Sequence, residues 1–339
     1  MQRSKPQAKS SRPIWRRLVE SLPSAGANEL APEEWLLGGE SIPTSLGEWE
    51  LEELVSQGEW FRIYRAIRNV GGAQTVAALK VARFETPREE SDDRPLSTHQ
   101  RRCAVIARRM LNREAEVLQS VQHNRLRWLV ADGLGQRPGF VATPWFEGVT
   151  LAEHLRKSLG AIEGVDLRLP QILWMARHTA EALAALHNSG WIHSQVRPHH
   201  LLLQKTRGTI LLDLTNALRQ ESDENVSPRW YSGAAEYAAP ELHVMGTPLE
   251  PAVDIYALGA VLFHALAGRP PFVGAGPEEI ALGHLRSPAP DVRQFHFHLP
   301  LKLAQLIRQT LSKDPWRRPT AKEMVERLID IEISTLAGW

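Results

Sequence analysis

The sequence predicts an α+β fold of two lobes, a small β-rich lobe with one key helix followed by a larger, mainly helical lobe. Three observations carry this. Residues 49–83 alternate apolar and polar positions around Gly58 and the pair Gly71–Gly72, the pattern of a hairpin and a further strand. Residues 171–190, QILWMARHTAEALAALHNSG, repeat apolar side chains at helical spacing until Gly190 stops them. Residues 251–268, PAVDIYALGAVLFHALAG, are almost wholly apolar, so this helix belongs at the centre of its lobe.

The remaining elements follow in order. Residues 1–47 are rich in Ser, Pro, Gly and Arg without periodicity and read as a disordered basic tail, with Trp15 and Trp35 as docking points. Residues 48–147 form the first lobe, interrupted by a polar insertion at about 84–104. A helix is predicted from Val105 to Gln122, with Met110, Val117, Leu118 and Val121 on one face and Glu114 on the same side. RWLVADGLGQRPGFVATPWF, residues 127–146, reads as two strands around a Gly-rich turn. In the second lobe, residues 148–339, TILLDL at 209–214 is a short strand and helices begin near Leu301 and Ala321. No internal repeat is present.

Composition narrows the function. A chain of 339 residues is long enough for two cores. Forty basic residues against 39 acidic leave a formal charge of +1, which argues against nucleic acid or a membrane surface as the general partner. A single cysteine, Cys103, excludes an internal disulfide and a Cys-based zinc site, and fits a reducing, cytoplasmic setting. No apolar run approaches the ~20 residues that span a bilayer. The basic N-terminus has no apolar core behind it, so a secretory signal is not expected.

Seven short motifs stand in order: VAALK (76–80), REAEVL (113–118), WIHSQVRPHH (191–200), LLDLT (211–215), AAPE (238–241), DIYALG (254–259) and DPWRRPT (314–320). Their succession resembles the eukaryotic-like (Hanks-type) serine/threonine protein kinase family, bacterial type, over about Trp49–Ile331. The resemblance implies the bilobal protein-kinase-like fold, with ATP as cofactor and Mg²⁺ held weakly. It implies that Lys80 contacts the nucleotide phosphates and that Glu114 is its partner; an ion pair that braces the small lobe without touching a ligand is the lesser alternative. Asp213 matches the family's metal-binding Asp, with Leu214 and Thr215 in place of Phe and Gly; capping the next turn is the other reading. Of the flap's three glycine positions, Ser56, Gly58 and Phe61, only Gly58 remains to bring backbone N–H groups to phosphate. Trp60 at its tip caps the cleft or packs under the lobe.

The catalytic loop departs furthest. The family reads HRDxKPxN; here His193 and Pro198 match, as structural residues. The catalytic-base Asp is Gln195, the lysine is Arg197, and the metal-binding Asn is His200. Gln195 cannot accept a proton, Arg197 keeps charge without ammonium geometry, and His200 has the unperturbed pKa of a base but not the oxygen Mg²⁺ prefers. Ser194 replaces the arginine that docks an activation-segment phosphate, so phosphorylation at Ser222, Ser227 or Tyr231 is not expected to act as the switch. A metal site of His193, His199 and His200 is disfavoured, because adjacent residues point apart. By contrast Glu241 and Arg318 match the family's buried ion pair, and Asp254 the carboxylate that holds the catalytic-loop backbone.

The leading expectation is a pseudokinase, a scaffold or allosteric regulator in signalling that acts on unknown protein partners and still binds nucleotide. A kinase with rewired residues and transfer of another part of ATP are the alternatives.

Overall fold

The computed structural model describes residues 44–83, 98–160, 168–205, 208–220, 235–244 and 247–336. Trp15 and Trp35, most of the polar insertion, and Ser222, Ser227 and Tyr231 lie outside the described residues.

The first lobe is a six-stranded antiparallel sheet. Its strands are β1 (Ser45–Leu46), β2 (Trp49–Gln57), β3 (Phe61–Val70), β4 (Ala73–Ala82), β5 (Ala131–Asp132) and β6 (Phe140–Pro144), in the order β1-β2-β3-β4-β6-β5. The predicted tail therefore ends earlier than Gly47: Ser45 and Leu46 pair with Glu50 and Trp49, and Leu46 is buried. β3 and β4 meet in a two-residue turn at Gly71 (φ 58°) and Gly72 (φ 81°). Two consecutive positive φ values match the right-handed twist of the strands and favour glycine at both positions. Trp49, Tyr64, Leu79 and Phe140 fill the core of this sheet.

Helix α1 runs from Thr98 to Ser120, starting seven residues before the predicted Val105. The stretch read as the end of a loop is helical because Cys103, Ala104 and Ala107 bury one face together with Met110 and Leu111. The polar run before Cys103 hides that spacing in the sequence.

The second lobe holds α2 (Leu151–Gly160), α3 (Leu169–Asn188), α4 (Ala252–Ala267), α5 (Pro277–Arg286), α6 (Leu301–Thr310) and α7 (Ala321–Leu336). Two small sheets lie on its upper face. β7 (Val149–Thr150), β9 (Leu201–Gln204) and β10 (Gly208–Leu211) form one, while β8 (Trp191–Ile192) pairs with β11 (Leu218–Arg219). As its composition requires, α4 is buried along its length and ends at Gly268 in the left-handed region. A Cβ at Gly259 would collide with Thr310 Oγ1, so glycine is what lets α6 approach α4. Among the described residues no helix is long and apolar enough to cross a membrane.

Candidate functional site

Between the sheet and the helical lobe lies a cleft of about 670 Å³. Ile63, Ala78 and Lys80 line it from β3 and β4, and α1 turns Ile106, Met110, Glu114 and Leu118 into it, one residue per helical turn. Lys80 Nζ lies 2.7 Å from Glu114 Oε2 and 2.9 Å from Asp213 Oδ1. Burial works to lower the Lys80 pKa, but Asp213 and Glu114 outweigh it and hold the ammonium above its usual value. Burial likewise works to raise the Asp213 pKa; Lys80 and His200 reverse this and keep it well below the carboxylate range. The structure thus brings Lys80, Glu114 and Asp213 into one cluster, from positions 34 and 133 residues apart along the chain.

Beneath the cleft, Asp254 is fully buried and anchors the loop after β8. It accepts hydrogen bonds from His193 N at 2.8 Å and Ser194 N at 2.7 Å, and lies 2.8 Å from His187 Nε2. Ser194 sits at φ 65°, a strained value for a non-glycine residue that these bonds hold in place. Its hydroxyl donates to Asn216 O at 2.6 Å, tying the loop to the segment after Asp213. His193 Nε2 faces Leu212 O at 3.0 Å and must carry the proton, while Nδ1 accepts from Gln195 N at 3.2 Å. Burial keeps this imidazole neutral by lowering its pKa. Lower still, Arg318 Nη1 and Nη2 grip Glu241 Oε1 and Oε2 at 2.5 and 2.9 Å, and its Nε reaches Ser312 O at 2.9 Å.

The substituted positions are bonded into the chain itself. Gln195 Oε1 accepts from Asn216 Nδ2 at 3.0 Å. His200 Nδ1 lies 2.8 Å from Gln195 O, which only accepts, so Nδ1 carries the proton; Nε2 in turn accepts from Arg197 Nε at 3.1 Å. Burial, with Arg197 adding to it, pushes the His200 pKa to about 3. At neutral pH this imidazole has little affinity for a proton, which weighs against His200 as the base of a rewired kinase. His199, by contrast, is exposed, and among the described residues no group of three His, Cys, Asp or Glu side chains is placed to hold a metal ion.

The flap also differs from expectation. Gly58 N donates to Phe61 O at 2.9 Å, so that N–H is engaged within the turn rather than offered to a phosphate. Gly58 O accepts from Arg83 Nη1 at 2.7 Å, and Trp60 O from Arg83 N at 2.9 Å. Gly58 has no left-handed φ, and a Cβ there would meet only Phe61 O at 3.7 Å. Trp60 lines the cleft, and the Phe61 ring centroid lies 5.7 Å from Lys80 Nζ.

Sequence reasoning missed Arg127. Its side chain lines the cleft, its Nη1 reaches Thr143 Oγ1 at 3.3 Å, and its buried Nε has no hydrogen-bond partner. Burial lowers its pKa to about 10 despite the attraction of Glu114. The signal was present: within LRWLVA, residues 126–131, Arg127 is the one polar side chain.

Tested against Mg²⁺, these residues fit poorly. Asp213 Oδ1 already receives Lys80 Nζ at 2.9 Å and Thr215 Oγ1 at 2.5 Å, and the His200 Nε2 lone pair is taken by Arg197. Asp213 Oδ2 keeps its lone pairs, but a hard divalent cation gathers several oxygen ligands and the second position here holds an imidazole.

Comparison with known proteins accounts for this geometry. The protein kinase domain profile matches residues 49–328. The chain is 28% identical over 274 residues to the DNA damage-responsive serine/threonine-protein kinase RqkA of Deinococcus radiodurans, covering 80% of this chain and 38% of that protein. It is 27% identical to the serine/threonine-protein kinase PrkC of Bacillus subtilis, covering 64% of this chain and 32% of that one. Against the serine/threonine-protein kinase PknA of Mycobacterium tuberculosis it is also 27% identical, covering 81% of this chain and 59% of the other. The chain therefore matches between about a third and three fifths of the length of these relatives. With the lobes, the Lys80–Glu114 pair and the Arg318–Glu241 clamp in place, the chain belongs to the protein kinase domain family.

Proposed function

We propose that the chain is a pseudokinase, a protein kinase domain that retains nucleotide in its cleft and acts on protein partners as a scaffold or allosteric regulator. One observation carries the reading: the catalytic-base position holds Gln195, whose carboxamide is fastened to Asn216 and has no proton-accepting group. General-base assistance is worth ~10²–10⁴ in rate. His200 does not replace it, for its pKa of about 3 leaves little driving force for taking a hydroxyl proton. The intact Lys80–Glu114–Asp213 cluster supports retention of the phosphate-binding half of the site. The single cysteine, free and buried, supports a cytoplasmic setting.

The test is transfer of label from γ-labelled ATP to generic protein substrates and to the chain itself. The wild type is expected to transfer none, and Gln195→Asp with His200→Asn to regain measurable transfer. Wild-type transfer that disappears in Lys80→Met overturns the reading in favour of a rewired kinase, which the intact cluster would serve. Incorporation from α-labelled but not γ-labelled ATP overturns it in favour of nucleotidyl transfer.

A further inference from the structure

We propose that the cleft holds its nucleoside triphosphate without a divalent metal, with Lys80, Arg127 and Arg197 supplying the positive charge. The proposal rests on the reading that the cleft retains nucleotide, and goes beyond it by naming the state in which the triphosphate binds.

The argument starts from the two positions where the family places metal ligands. Asp213 Oδ1 accepts from both Lys80 and Thr215, and Oδ2 faces His200 Nε2 at 3.2 Å. His200 cannot offer its other nitrogen, because Nδ1–H is bonded to the Gln195 carbonyl, and its Nε2 accepts from Arg197. Oδ2 receives no donor from this unprotonated Nε2, so an entering Mg²⁺ would find one open carboxylate oxygen beside an imidazole that Arg197 would have to release. Imidazole is a poor ligand for so hard an ion, which makes that exchange unfavourable.

Charge points the same way. Lys80, Arg127 and Arg197 line the cleft against Glu114 and Asp213, the remaining acid in its wall, Glu59, being exposed at the flap tip. Arg127 is the addition that the resemblance does not account for. It is near enough to Glu114 to feel its charge, so that this one carboxylate faces two cations, Lys80 and Arg127. Its buried Nε is a donor without an acceptor, a state relieved by a ligand oxygen or by a shift of the side chain onto one. A polyanion entering this cleft meets guanidinium and ammonium donors already in place, and charge-assisted bonds to phosphate are what these groups form best.

Thermal unfolding and calorimetric titration with ATP test the proposal, each in excess EDTA and in excess Mg²⁺ or Mn²⁺. ATP in EDTA is expected to raise Tm at least as much as ATP with either metal. Arg197→Gln and Arg127→Met are each expected to weaken metal-free binding about 10-fold or more, the worth of one charge-assisted bond. Their ligand-free Tm values establish that both fold, and Arg197, which is only half-buried, serves if Arg127→Met does not. A shift that requires Mg²⁺ or Mn²⁺ overturns metal-free binding and leaves the nucleotide reading standing. No shift under any condition overturns both.

Discussion

Two ionic clusters of this molecule, built from the same kinds of residue, differ in what surrounds them. Under the second lobe, Arg318 and Glu241 form a closed bidentate pair whose further donors go to Ser312 and Ala252 carbonyls, and Asp254 collects two backbone N–H groups and faces His187. In the cleft, Lys80 is bonded to Asp213 and Arg197 to His200, but all four line an open volume with Arg127 imperfectly matched beside them. The first cluster has one role, holding the segment before α4 to the turn before α7. The second is arranged so that a ligand can change its partners. On this contrast, substitutions in the second cluster are expected to disturb folding less than substitutions in the first.

Breaking the lower cluster is the strongest test of that contrast. Arg318→Met strands the Glu241 carboxylate in a buried site and is expected to cost about 3–5 kcal/mol, read as a lower urea midpoint. Asp254→Asn leaves a buried backbone donor poorly matched and is expected to cost about 1–3 kcal/mol by the same measurement. Arg197→Gln, in the cleft, leaves His200 Nε2 facing the open cleft and is expected to change the unfolding free energy of the ligand-free chain by about 1 kcal/mol or less. A large loss there would show that the cleft cluster is structural after all, and would erase the distinction.

Acid sharpens the comparison from another side. Burial pushes His178, His243 and His264 down to about 4, with Arg125 adding to the effect at His178. Each imidazole stays neutral in the folded chain at pH values where the unfolded chain, with a pKa near 6.5, has taken up a proton. The unfolded state binds more protons, so stability falls as pH drops from about 6.5 toward 4. Urea midpoints at several pH values measure it; a flat profile over that window would contradict the burial of these rings. Asp213, held well below its usual pKa, retains its contribution throughout that window and loses it only at lower pH.

The cleft was partly legible in the sequence. Glu114 was placed on the inner face of its helix by the four-residue spacing with Met110 and Leu118, because helical geometry is local. The start of α1 was not, since Cys103 and Ala104 alone among polar neighbours make too short an apolar signal. Gly58 was read as a phosphate-binding glycine from its position, yet its N–H closes the turn with Phe61. The sequence alone shows His200 only with its unperturbed pKa, because a side chain's desolvation depends on what folds over it.

The sequence by itself determined the order and type of most elements, the central burial of α4, and the absence of a proton acceptor at Gln195, for these follow from residue type and local spacing. Tertiary structure alone decided which lone pairs remain available. Lys80, Glu114, Asp213, His200 and Arg197 meet only once the sheet, α1 and the loop after β8 are packed together, and Arg127 joins the cleft by the same packing. Hydrogen-bond partners across such separations, and the pKa values that burial imposes on them, are properties of the packed chain.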